Sequence, residues 1–212
     1  MKTLIRFVLF SMILAIAACE TPILRRDFPE ITFTHLPSIS LDVATIDFVQ
    51  LFDPPLKPPH VEHEMPIQPH MAVSRWVSDR LKPTGSSGYA KVTIRDASVF
   101  EESLKSVGGL RGAFTTEQSE RYVGKIEVEI EAVGGKGLRT ASAVARTQRS
   151  RTIAEDASLR QRESFWFELT ERMMQDFDRT FEAQIRQHLT ALLKQIPALN
   201  PSRRRAATIP QP

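Results

Sequence analysis

Two long amphipathic stretches dominate the alternation of apolar and polar positions. From Tyr122 to Val133, Tyr122, Ile126, Val128 and Ile130 fall on one side and Lys125, Glu127, Glu129 and Glu131 on the other. That period of two gives a strand one buried and one wet face. Gly134-Gly135-Lys136-Gly137 supplies the positive-φ positions of a tight reversal, and Leu138 to Ile153 returns as a strand alternating small residues with Arg146, Arg149 and Arg151. The glutamates and arginines are expected to pair across this hairpin, each exposed pair contributing about 0.2 to 1 kcal/mol, which sets register more than stability. A phosphate loop is the competing reading of the glycines, but no Ser or Thr follows Lys136 and both flanks read as strands.

The second stretch predicts a helix from Ser158 to Gln195, stopped by Pro197. Phe165, Leu169, Met173, Phe177, Phe181, Ile185 and Leu189 recur every four residues. Each such step overshoots a full turn by about 40°, so the apolar stripe must drift around the cylinder. Three accounts compete: the helix curls over a twisted sheet, it kinks, or its far half offers Phe181, Ile185, Leu189 and Leu192 to another molecule. The run Ser164 to Leu169 (SFWFEL) is expected at the centre of a core or an interface.

The remaining elements are shorter. Ile39 to Leu51 is rich in β-branched residues and predicts a first strand. Prolines at 54, 55, 58, 59, 66 and 69 make residues 53–69 a connector or embedded arm in extended backbone. Met71, Trp76, Val77 and Leu81 predict a helix starting near Pro69. Tyr89 to Phe100 predicts a half-buried strand, followed over residues 101–112 by two glycine breaks that suit a loop or an irregular helical turn. The order strand, helix, strand, strand, strand, helix implies an α+β domain over residues 39–196: a small, mostly antiparallel sheet of about four strands with two helices on one face. Residues 19–38 read as a flexible tether and 197–212 as a disordered basic tail.

Composition narrows the setting. The chain has 212 residues and one cysteine. Lys2 and Arg6, an apolar run from Leu4 to Ala15, and then Ile16-Ala17-Ala18-Cys19 form a signal segment too short to span a bilayer. The last four residues resemble the lipobox of bacterial lipoproteins. That resemblance implies cleavage of residues 1–18, lipidation of the Cys19 sulfur and, from Glu20 at the next position, the outer membrane. The mature body then has no disulfide and depends on its apolar core. The net charge of +3 includes Lys2 and Arg6, and the remaining excess sits in Arg203-Arg204-Arg205, which argues against a nucleic-acid partner.

Catalytic groupings are absent from the sequence pattern, so a non-enzymatic role is expected. After lipidation no free thiol remains, and the serines lack a nucleophile-elbow pattern. His60, His63 and His70, with Glu62 and Glu64, are weak metal-ligand candidates in a proline-rich setting that disfavours a shared helical face. No cofactor is expected. Trp76 and Trp166 suit either a core or an interface.

The whole pattern resembles the Gram-negative envelope lipoproteins that assist transport, and is similar in layout to the ABC-type transport auxiliary lipoproteins and to the lipopolysaccharide-assembly lipoprotein. The residues carrying this resemblance are Ile16 to Cys19, the Trp76 helix, the Tyr122 to Val133 strand and the Phe165 to Leu193 helix. The proline-rich insertion at Pro54 to Pro69 departs from it. The resemblance implies a periplasm-facing accessory protein, lipid-anchored to a membrane and docking onto an envelope protein complex. The alternative expectation is a metal- or small-ligand-binding lipoprotein using the three histidines, and a third is lipid carriage in an apolar cavity.

Overall fold

A computed structural model describes residues 28–104, 118–134, 140–154 and 156–194. Its elements are β1 (Ile39–Leu41), β2 (Thr45–Gln50), α1 (Pro69–Arg80), β3 (Leu81–Pro83), β4 (Gly88–Asp96), β5 (Val99–Ser103), β6 (Gln118–Gly134), β7 (Thr140–Ala154), α2 (Leu159–His188) and a closing 3-10 turn, Thr190–Leu192. The class is α+β with two helices, as expected. The sheet arrangement differs from the expectation. It is mixed rather than mostly antiparallel, because β2 pairs parallel with β4 and β1 pairs parallel with β3 in a separate two-stranded sheet. Parallel neighbours need a crossover, and α1 supplies one for both pairs. Residue patterning gives the order of elements but not their pairing.

Two predicted strands are each divided. The first breaks at Asp42 to Ala44, where Asp42 N–H donates to Leu192 O at 2.7 Å and Ala44 N–H to Gly88 O at 3.0 Å. The Tyr89 to Phe100 strand breaks at a bulge, where Ser98 N–H donates to the Asp96 carboxylate at 3.0 Å in an Asx-type turn. The bend lets β4 and β5 share one edge of β6, while β7 takes the whole of the other.

The helix-covered face carries Ala90, Val92 and Ile94 of β4, Ile126, Val128 and Ile130 of β6, and Ala143 and Ala145 of β7, all buried. The opposite face is a polar ladder, with Lys91 against Glu131 at 2.6 Å and Arg146 against Glu127 at 2.9 Å. Of the expected cross-hairpin pairs only Arg146–Glu127 forms. Arg149 and Arg151 sit on the helix-covered side, where they meet Asp176 and Glu168 of α2.

α2 begins with a capping box between Ser158 and Gln161. Every member of its drifting apolar stripe is buried. The drift follows a change of neighbour along the helix: Phe165 packs on Tyr122 of β6, whereas Phe177 and Phe181 pack on Trp76 of α1. The helix ends at His188, short of Gln195, because the chain then turns back to β1, with Lys194 N–H on Ser40 O at 3.0 Å.

The arm over residues 53–69 is embedded rather than free. Val61 N–H donates to Val99 O at 3.0 Å and Glu101 N–H to Pro59 O at 2.8 Å, so Pro59 to Val61 covers the outer edge of β5. Glu62 is fully buried there. Its carboxylate accepts from Val99 N–H at 3.0 Å and meets His60 Nδ1 at 3.1 Å, which satisfies a charge that burial alone would make costly.

Candidate functional site

Cys19 and Arg203 to Arg205 lie outside the described residues, as do Gly135 to Gly137 of the expected turn. The four residues considered for docking lie inside the molecule: Phe181, Ile185 and Leu189 are fully buried and Leu192 nearly so. Their apolar character is used up by this chain's own core, and they leave no free face. Trp76 and Trp166 are likewise buried.

The histidines do not converge. His60 faces Glu62, while His63 Nε2 lies 3.5 Å from Glu64. His70 has a buried Nδ1 without a hydrogen-bond partner, and burial pushes its pKa down. Among the described residues no group of three or more His, Cys, Asp or Glu side chains is placed to hold a metal ion.

Two surfaces stand out instead. The first is the outer edge of β2, which pairs only with β4 among the described strands. Phe48 and Tyr89 are exposed beside it, and Leu51 and Leu56, just beyond the strand, are 62% and 77% exposed. The opposite outer edge, β7, carries Ser142, Arg146, Gln148 and Ser150 on its wet side, polar groups that discourage strand addition. The apolar edge is therefore β2. The strand pattern does not single it out, because period-two reasoning does not say which strand ends a sheet.

The second surface is formed by the segment just upstream of β1. Residues 28–37 are laid over the two helices as a strap. Phe28 stacks on Phe167 of α2 with ring centres 5.2 Å apart, and Glu30 meets Arg75 of α1 at 3.1 Å. Phe33 is buried and its N–H donates to Asp79 at 2.8 Å. Pro37 O accepts from Arg80, a guanidinium only 1% exposed that also meets Asp178 at 3.2 Å and Glu182. A tether over residues 19–38 would have left these groups in water. Strap and α2 together line a cleft of about 310 Å³.

A polar knot ties the start of α2 to the sheet. The Tyr122 hydroxyl lies 2.7 Å from Glu101 and 2.8 Å from Glu120, and Arg162 donates to both Tyr122 and Glu120. Arg162 holds the Glu120 carboxyl below the usual carboxylate range, and burial pushes the Tyr122 phenol up.

No family model matches the chain, and no curated protein matches it significantly. Among solved structures it is similar to rare lipoprotein B from Shewanella oneidensis, with a TM-score of 0.36 and 11% identity over 68% of this chain and 95% of that one. A minor lipoprotein from Acinetobacter baumannii gives a TM-score of 0.36 and 11% identity over 73% of this chain and 98% of that one. A TM-score this low, at 11% identity, carries neither a shared fold nor a function to this chain.

Proposed function

We propose that this chain is a non-enzymatic lipoprotein of the Gram-negative envelope. Cys19 holds it in the outer membrane facing the periplasm, and its α+β body docks onto a transport or assembly complex. The observation that carries this reading is the sequence from Lys2 to Cys19, a basic start and short apolar run ending in Ile16-Ala17-Ala18-Cys19. A diacyl group with an added amide-linked chain provides the multi-chain anchoring that one acyl chain does not.

Docking uses the β2 edge. An extended segment of an envelope protein adds there as a further strand, its backbone pairing with β2 and its apolar side chains covering Phe48, Leu51 and Leu56. Each apolar side chain so buried contributes about 1.5 to 3 kcal/mol. Sedimentation of the Cys19→Ala variant tests the anchor, with release from membranes as the expected result; continued sedimentation with membranes would refute it. Photo-crosslinking from position 51 in intact cells tests the docking. The expected product is a single envelope protein, captured in a Cys19-dependent way and lost in Phe48→Asp; no adduct, or one indifferent to both changes, overturns it.

A further inference from the structure

The rows of side chains that cross the sheet end at β2, and each row constrains what a further strand must carry. On the helix-covered face Phe48 lies beside Val92, Val92 beside Ile130 and Ile130 beside Ala143. The last three are buried, whereas Phe48, at the open end of the row, is 36% exposed. On the opposite face the neighbouring row runs Asp47, Lys91, Glu131, Ser142. Its charges alternate in sign from the edge inward, and Lys91 is already taken by Glu131 at 2.6 Å. Asp47 is exposed, and its carboxylate has no partner among the described residues.

Resting on the docking proposed above, we infer that the strand added at β2 is amphipathic, with an apolar residue over Phe48 and, at the adjacent position, a lysine or arginine paired with Asp47. Adjacent residues of a strand face opposite sides of a sheet, so two consecutive residues of the incoming chain reach both rows. Opposite charges directly across a strand pair attract, and like charges repel. A basic residue continues the alternation of the Asp47 row, while an acidic one sets two carboxylates side by side.

The rest of the edge agrees in sign. Asp53, just past the strand, is exposed, and its carboxylate is also without a partner among the described residues. Lys57 is the one basic residue between Ala44 and Pro59. It lies ten positions beyond Asp47, in a turn closed by His60 N–H on Lys57 O at 3.0 Å. A second copy of β2 does not fit, because its sequence, TIDFVQ, holds no Lys or Arg and would leave Asp47 uncompensated. The chain's net charge is positive, so a preference for a basic strand comes from the edge itself.

The test uses the full chain in intact cells, with the photo-crosslinker at position 51 and the captured segment sequenced by mass spectrometry. The segment should alternate apolar and polar residues and hold Lys or Arg next to an apolar one. Asp47→Glu should keep the yield of adduct, and Asp47→Lys should lower it about three- to tenfold. Changing the captured basic residue to Glu should lower the yield alone and restore it in combination with Asp47→Lys. Both Asp47 variants should melt with the parent chain; a lowered melting temperature in both would show that Asp47 serves the fold and would overturn the inference. A yield indifferent to Asp47→Lys but abolished by Phe48→Asp overturns it and leaves the docking standing. A captured segment without the basic residue does the same. An adduct confined to this chain, within one copy or between two, or no adduct at all, removes the docking itself and this inference with it.

Discussion

The indole N–H of Trp76 donates to the carboxylate of Asp178 at 2.7 Å, joining α1 to α2 across 102 positions of sequence. The same carboxylate oxygen lies 3.2 Å from Arg80 Nε. One acid therefore accepts a hydrogen bond from Trp76 and forms an ion pair with Arg80, with Phe177 and Phe181 packed against Trp76. Asp178→Ala leaves the Trp76 N–H without an acceptor and removes one of the two carboxylates paired with Arg80, which keeps Glu182, and the expected loss is about 1 to 3 kcal/mol, the scale for a buried donor left unsatisfied. Asp178→Asn keeps an acceptor for Trp76 and should cost less. Urea denaturation of the two variants checks the order, which a purely steric role for Asp178 would not produce.

Stability should fall at both extremes of pH through the knot of Tyr122, Glu120 and Arg162. The hydrogen bond from Arg162 lowers the folded-state pKa of Glu120 below 4.5. Its contribution is present above the unfolded value and is lost as pH falls through the folded one. Tyr122 behaves oppositely. Burial raises its folded pKa above 10.0, so its contribution is intact below that value and fades as pH rises past it. Melting temperature against pH should show both limbs. Glu120→Gln should flatten the acid limb and Tyr122→Phe the alkaline one; a variant that shifts both limbs equally would indicate general loss of packing.

Gly85 has no room for a side chain. A Cβ there would stand 2.6 Å from the carbonyl carbon of Asp42 and 2.6 Å from the amide nitrogen of Val43, both backbone. The contact is tight because Gly85 N–H donates to Val43 O at 2.9 Å, stitching the end of β3 to the link between β1 and β2. Gly85→Ala must push two backbone segments apart, an overpacking cost of about 1 to 3 kcal/mol. Thermal unfolding measures it, and an unchanged melting temperature would show that the link is soft.

Two of the three arginines of β7, Arg146 and Arg149, should separate in effect. Arg146 pairs with Glu127 on the open face at 69% side-chain exposure, so Arg146→Ala should change stability by no more than about 0.5 kcal/mol. Arg149 reaches across to Asp176 at 2.7 Å and fastens the strand to the helix above it. Arg149→Ala should cost about 1 kcal/mol, because its partner is less exposed and also anchors Arg179. Chemical denaturation of the two single variants compares them directly.

Much of this architecture was legible where one local period governed a long segment. The alternation of Ile126, Val128 and Ile130 with glutamates marked β6, and the four-residue spacing from Phe165 marked α2, because each pattern records burial against a single neighbouring layer. What stayed hidden depended on contacts between distant segments. The carboxylate of Glu62 sits in a proline-rich run that resembles a solvated arm, yet the hydrogen bond it accepts from Val99 N–H holds that arm to β5. The fate of Phe181 turned on Trp76, about a hundred positions upstream, and no helical wheel shows what stands opposite a stripe. The strap was missed for a related reason. Phe28 and Phe33 are isolated aromatics among prolines and polar residues, with no period to reveal that Phe28 stacks on Phe167 of α2 and that Phe33 is buried.

Phe33 gives the strap a handle that can be removed without disturbing the sheet. Its ring is buried, whereas the Glu30–Arg75 pair further along is exposed on both sides. Truncating a buried Phe in a core costs about 3 to 5 kcal/mol. Here the strap can lift locally, so the global loss in Phe33→Ala should be smaller than that and local opening correspondingly larger. A glutamyl endopeptidase reports on the opening, since Glu30 lies within the strap and its side chain is 71% exposed. Cleavage after Glu30 should quicken by more than tenfold in Phe33→Ala, which corresponds to more than about 1.4 kcal/mol in the opening equilibrium. Arg75→Ala should leave the rate within a few fold, as a surface ion pair contributes about 0 to 1 kcal/mol. If both variants are cut as slowly as the parent chain, the strap is held by contacts other than Phe33; if the parent is already cut rapidly, residues 28–37 are not held on the helices at all.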